Sequence, residues 1–156
     1  MKSFNLIFDG YYSDSNRVGL PNKSGIYLVF TGKLLPGNKV DLRSLIYIGQ
    51  AKDLRERLTT HDKHEAFLAK CNEGELPYYS YALVCTNDLD IVENALVYNT
   101  KLELNDKLKF HYNHSDSVRL IMNGTCGELF GTTICIDVKR NGVVETYSEE
   151  DLDCYE

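Results

Sequence analysis

The clearest apolar runs along the chain are short and rich in β-branched and aromatic residues, which is the pattern of strands. They are Gly25-Ile-Tyr-Leu-Val-Phe30, Leu45-Ile-Tyr-Ile48 and Tyr78-Tyr-Ser-Tyr-Ala-Leu-Val-Cys85. Thr31-Gly32 and Pro36-Gly37-Asn38 interrupt the chain between the first two. That spacing predicts an antiparallel pair whose connection, residues 31–44, is longer than a tight hairpin needs. Polar residues 10–24 predict a loop leading into the first strand.

After the second strand the period changes. Asp53 with Glu56 three residues on has the form of a capping box, and Leu54, Leu58, Phe67 and Leu68 give the helix an apolar side. Asn87 or Asp88 starts another helix with Leu89, Val92, Leu96 and Val97 on its buried face. Residues 106–115 are polar and read as a loop. Val118–Met122, Ile134–Val138 and, past the turn signal Asn141-Gly142, Val143–Tyr147 predict strands. They form either a small β appendage or an extension of the sheet.

Two features on this frame carry chemistry. Arg57 and His61 are i,i+4 on one predicted helix and project from one face, with His64 a turn later. A guanidinium beside an imidazole suits a phosphate, since Arg binds it bidentately and His donates or moves a proton. The competing reading is a solvated helix face, because Glu56, Asp62 and Glu65 are interspersed. Glu93 lies at the edge of an apolar helix face, where a carboxylate is solvated, paired or bound to a metal. The competing reading there is a rim residue that reaches outward.

Composition narrows the partners. With 156 residues, 43% hydrophobic and 26% charged, the chain has the make-up of one soluble domain with its own core. No apolar stretch is long enough to span a bilayer, and the first ten residues lack the apolar core of a signal peptide. The expected location is therefore cytoplasmic, with no membrane partner. Cys71, Cys85, Cys126, Cys135 and Cys154 form no CxxC pair, which argues against zinc and for free thiols. The net charge of −6 argues against a strongly basic nucleic-acid binder. Much of the acid lies at Glu145, Glu149, Glu150, Asp151, Asp153 and Glu156, so Lys52, Arg55, Arg57, Lys63 and Lys70 leave room for a local cationic face. His111 and His114 with Asp116 imitate a metal cluster, and a polar loop is the preferred reading. Tyr11, Tyr12, Tyr78, Tyr79 and Tyr81 are candidates for base stacking, with core packing preferred for the last three.

Gly25-Ile26-Tyr27 followed by Tyr47-Ile48-Gly49 resembles the two motifs that name the GIY-YIG nuclease family. Arg57, eight residues after Gly49, stands where that family has its essential arginine. His61 fits a histidine found in many members, Glu93 fits the metal-binding glutamate, and Asn105 fits the asparagine after its helix. The match covers residues 25–105. Gln50 departs from it, standing where many members have lysine.

The resemblance implies an α+β fold, a small central antiparallel β-sheet flanked by helices, with the C-terminal strands as a β appendage. The domain division that follows is an N-terminal extension at 1–20, a nuclease domain at 21–110 and a C-terminal β extension with an acidic tail at 111–156. The implied activity is a metal-dependent endonuclease. It would hydrolyse phosphodiester bonds in nucleic acid, DNA before RNA, and leave 5′-phosphate and 3′-hydroxyl ends. Tyr27, Tyr47, Arg57, His61 and Glu93 are its implied catalytic set, with Glu93 the one protein ligand of a single Mg²⁺ or Mn²⁺. Tyr27 is the implied activator of water. Gly25, Gly49, Lys52, Arg55 and Asn105 are the expected substrate-binding positions, with Asn105 also bracing the helix that carries Glu93. The rival expectation is a catalytically silent module that binds nucleic acid or a protein partner. A homodimer is a further expected form.

Overall fold

The computed structural model describes residues 1–148, and within them seven strands make one sheet in the order β3-β2-β4-β1-β5-β6-β7. The strands are β1 (Lys2–Tyr12), β2 (Gly25–Leu35), β3 (Lys39–Ala51), β4 (Leu76–Leu83), β5 (Val118–Gly124), β6 (Thr133–Val138) and β7 (Val144–Ser148). Three helices complete the fold: α1 (Leu54–Thr59), α2 (His64–Lys70) and α3 (Leu89–Thr100). No helix among the described residues is long and apolar enough to cross a membrane.

The expected fold class is overturned. The chain forms a seven-stranded mixed sheet curled into a half-barrel, not a small antiparallel sheet flanked by helices with an appendage. The strand that changes the architecture is β1, which pairs antiparallel with β4 and parallel with β5. Its Phe4, Leu6 and Phe8 point inward between exposed Ser3, Asn5 and Ile7. Residues 2–12 therefore occupy the middle of the sheet, and residues 118–148 continue it through β5, β6 and β7. The acidic residues from 149 onward, and Cys154, lie outside the described residues.

The curl follows from packing. Helix α3 touches both β3 and β6, which are five strand steps apart. In a flat sheet those steps would span about 24 Å, more than twice the width of a helix. The sheet therefore wraps around α3, whose Leu89, Ile91, Val92, Ala95, Leu96 and Val97 join the main core with Leu6, Ile26, Leu28, Ile48, Leu120 and Ile136. A second core lies on the other side of β2–β4. There Tyr27, Val29, Tyr79 and Ile46 meet Leu54 and Leu58 of α1 and Phe67 of α2.

The expected loop at 31–44 is instead the end of a long hairpin. Leu35 pairs with Lys39 and Leu34 with Val40, and the turn is closed by left-handed Gly37 (φ 82°) and Asn38 (φ 58°). Among the described residues strand β3 has no strand partner on its outer side, and the candidate site forms along that edge.

Candidate active site

Strand parity sets the floor of the site. Tyr27 of β2 lies opposite Gly49 of β3, and Val29 lies opposite Tyr47. Tyr27 and Tyr47 therefore share the face that α1 and α2 cover, with ring centroids 6.1 Å apart. A methyl group on Gly49 would overlap the Tyr27 ring and hydroxyl, so this glycine makes room for that side chain. At Gly25 a methyl group would overlap the Ala82 carbonyl oxygen. Both expected substrate-binding glycines are thus occupied by neighbours from the chain itself.

Helix α1 starts as expected, with the Asp53 carboxylate accepting from the Glu56 N–H at 3.1 Å. It ends earlier than expected. The Thr59 and Thr60 hydroxyls bond back to the carbonyls of Arg55 and Glu56, and the chain leaves the helix. His61 consequently stands in the linker before α2, not on one helix with Arg57, and His64 opens α2. Arg57 and His61 still meet, by tertiary structure. His61 folds inward to 7% exposure, and its ring contacts Tyr27, Tyr47 and Phe67 at centroid distances of 5.6, 5.5 and 4.8 Å.

The tautomer of His61 can be assigned from its partners. The Lys63 backbone N–H donates to Nδ1 at 3.0 Å, so Nδ1 carries a lone pair. Nε2 then holds the proton and donates it to the Tyr27 hydroxyl oxygen at 2.6 Å. Burial, aided by the Arg57 charge, lowers the His61 pKa to about 4, so the ring is neutral at pH 7. With its Nε2 protonated and its Nδ1 engaged, His61 has no free lone pair to draw a proton from Tyr27. Burial also pushes the Tyr27 phenol well above its ordinary range, with Tyr47 adding to the rise and Arg57 opposing it. Tyr27 is 1% exposed. It sits beneath the site as a buried hydroxyl, poorly suited to act as a base.

Above this floor is a cleft of about 490 Å³, lined by Tyr47, Arg57, Lys63, Glu93, Asn105 and Lys107 among others. Arg57 comes from α1 and Glu93 from α3, so helices packed on opposite sides of the sheet meet past the β3 edge. The Arg57 guanidinium bonds Asp62 at 2.9 Å, and Lys63 bonds Asp106 at 2.6 Å across the mouth. Burial raises the pKa of the Glu93 carboxyl, while the side-chain and backbone amides of Gln50 draw it down. Gln50 also donates to Asp90 at 2.7 Å, which ties the first turn of α3 to β3. Burial likewise raises the Tyr47 phenol, reinforced by the charge of Glu93.

Asn105 is a brace. Its amide donates to the Ile48 carbonyl at 2.8 Å and its oxygen accepts from the Ile48 N–H at 3.3 Å, as a neighbouring strand would. Lys52 lies apart, on a shallow groove with Asn22 and Val84. Arg55 donates to the Leu20 carbonyl at 2.7 Å and secures the segment before β2. His64 bonds Asp14 at 2.8 Å, which Tyr79 also reaches at 2.7 Å. The His114 ring lies against Tyr112, with centroids 5.5 Å apart. Tyr78 and Tyr79 are buried, and Tyr81 bonds Asp9 at 3.1 Å.

Four residues of the site were not singled out from the sequence: Asp62, Asn94, Asp106 and Lys107. Asn94 adjoins Glu93 and donates to the carbonyls of Leu108 and His111 while accepting from the Asn113 N–H, so it anchors the loop that forms the far wall. A buried asparagine in an apolar helix is a signal that sequence can give, because it must find partners. The Lys63–Asp106 ion pair joins distant segments and leaves no such trace, whereas Arg57 and Asp62 are only five residues apart.

An ion held by several protein ligands does not fit here, since no three His, Cys, Asp or Glu side chains cluster suitably among the described residues. A single-ligand site does fit. Glu93 is half-buried, lines the cleft and makes no salt bridge among the described residues. A lone hard carboxylate completed by water and phosphate oxygens is a donor set that suits Mg²⁺. Compared with protein-family models, with curated proteins and with solved structures, the chain finds no match.

Proposed function

We propose that the cleft is the active site of a divalent-metal-dependent endonuclease, GIY-YIG-like in its residues. It hydrolyses phosphodiester bonds in nucleic acid, DNA in preference to RNA, and leaves 5′-phosphate and 3′-hydroxyl ends. One observation carries this reading: Arg57 and Glu93, from separate helices, line the same cleft as Tyr47, directly above the Tyr27–His61 hydrogen bond.

Glu93 would hold one Mg²⁺ or Mn²⁺, which would supply charge to neutralise the phosphate and stabilise the leaving oxygen. Arg57 binds the non-bridging phosphate oxygens and meets the charge that grows on them. The Tyr47 hydroxyl, at the cleft wall, orients the attacking water. Tyr27 is a positioning residue that packs under Tyr47 and faces Arg57, with its oxygen fixed by His61. Asn105 and Gln50 hold the two walls at their spacing. Free thiols at Cys71, Cys85 and Cys126 accord with a cytoplasmic setting.

The test is cleavage of plasmid and of single-stranded DNA with Mg²⁺ or Mn²⁺, with product ends mapped. Wild type cuts, and Glu93→Ala or Arg57→Ala lowers the rate by about 10²-fold or more. The net charge of −6 favours a second reading, a silent module acting through binding. That reading prevails if no DNA is cut under any metal while a partner is still bound.

A further inference from the structure

The cleft does not stop at Tyr47. Along the same edge a second depression of about 250 Å³ adjoins it in sequence, lined by Arg43 to Ile46 of β3, by Leu102 to Leu104 and by Lys70. The two hollows share their walls. One is β3 from Arg43 to Ile48, and the other is the segment following α3, residues 102–108. At about 3.3 Å per residue the strand side makes a trough roughly 17 Å long.

Of the cations along this trough, three are each held by an exposed carboxylate, Arg57 by Asp62 at 2.9 Å, Lys63 by Asp106 at 2.6 Å and Lys70 by Glu103 at 2.7 Å, whereas Arg43 is fixed at 2.9 Å by the buried Glu75. In the first three pairs the burial is one-sided. The carboxylates are 73, 71 and 81% exposed, whereas the cations are 35, 26 and 35% exposed. Exposed pairs of this kind hold their partners weakly and are readily exchanged.

We propose that the trough is a phosphate track for one nucleic-acid strand, in which successive backbone phosphates displace Asp62, Asp106 and Glu103 from Arg57, Lys63 and Lys70. The three acids are stand-ins for the substrate. The exchange replaces one anion by another at each cation, so an acidic chain binds a polyanion without a basic surface. Only a chain of linked phosphates gains enough from several weak exchanges to win. The inference rests on the endonuclease reading for the identity of the polyanion.

The experiment measures binding of a fluorescent oligo-dT strand in EDTA, where no cutting occurs, over a range of salt concentrations. Asp62→Asn/Glu103→Gln/Asp106→Asn tightens binding by about tenfold or more. Lys63→Gln/Lys70→Gln weakens it and lowers the slope of log K against log salt by about 1.4, or ~0.7 per lost phosphate contact. A control, Asp9→Asn/Asp116→Asn/Glu145→Gln, makes the same change in net charge away from the trough and tightens binding little. Circular dichroism of each variant checks the fold. Equal tightening by the control, or an unchanged salt slope in the lysine variant, overturns the track. The two readings fail separately. A chain that cuts plasmid but shows no effect of the three acids loses the track alone. One that binds as described but never cuts loses the nuclease alone.

Discussion

Glu93 shows most clearly how a single side chain can be costly to the fold and useful to the site. Burial raises its pKa, so ionising it costs the folded chain more than the unfolded one. Glu93→Gln removes that cost. It should raise Tm by a few degrees at pH 7.5 while lowering cleavage by about 10²-fold or more, measured by thermal unfolding and by plasmid nicking. A fall in Tm would mean that the carboxylate is a structural anchor. His61 has the opposite sign. Its folded pKa of about 4 lies below its ordinary value of 6.5, so the unfolded chain takes up the proton first as pH falls. Its contribution is intact above pH 6.5 and is lost progressively toward pH 4, by up to about 3 kcal/mol. His61→Gln should flatten that part of the stability profile, read from urea midpoints at pH 7.5 and pH 5. At this scale the sequence was informative about Arg57 and Glu93, because each stood out from its surroundings. It was silent on Asp106, whose partner Lys63 is set only by how distant segments approach, and it read Asp62 as part of a solvated face and not as the partner of Arg57.

At the scale of elements, the register between β2 and β3 is the controlling feature. Gly49 lies opposite Tyr27, and its missing side chain is the space that the phenol fills. Gly49→Ala should cost about 2–4 kcal/mol through overpacking and displace Tyr27 from its bond with His61. Denaturant unfolding gives the first figure, and a changed tyrosine near-UV signal reports the second. A neutral outcome would mean that the ring has somewhere else to go. The apolar alternation located the centres of most strands, because period two is a local property. It did not find β1, whose inward Phe4, Leu6 and Phe8 are interrupted by the outward, apolar Ile7. It also extended α1 too far, since Phe67 and Leu68 continue an apolar pattern across a break that the hydroxyls of Thr59 and Thr60 impose.

For the whole molecule, the curl of the sheet connects strands that never touch the cleft to the helix that builds it. Helix α3 carries Glu93 on one side and leans on β5 and β6 on another. Removing β6 and β7 by ending the chain at residue 132 should therefore loosen α3 and abolish cleavage, although every proposed catalytic residue remains. Hydrogen exchange of the α3 amides checks this, and unchanged protection would contradict it. This level of organisation was the least legible in the sequence. The parallel pairing of Lys2 with Val118 joins positions that nothing local connects, and such pairings are fixed only when the core forms around them.

That pairing also has a consequence in time. During synthesis β1 leaves the ribosome before its neighbour β5, which follows only after more than a hundred further residues. At translation rates of about 5–20 residues per second, the gap is roughly 6–20 s. Throughout that interval β1 has an open edge and α3 lacks the strands that will close over it. The residues of the cleft, Tyr47 to Leu108, are made before β5 and β6, yet their alignment waits for those strands. If the cleft has the proposed nuclease activity, a nascent copy would stay inert toward nucleic acid until β5 and β6 have been made.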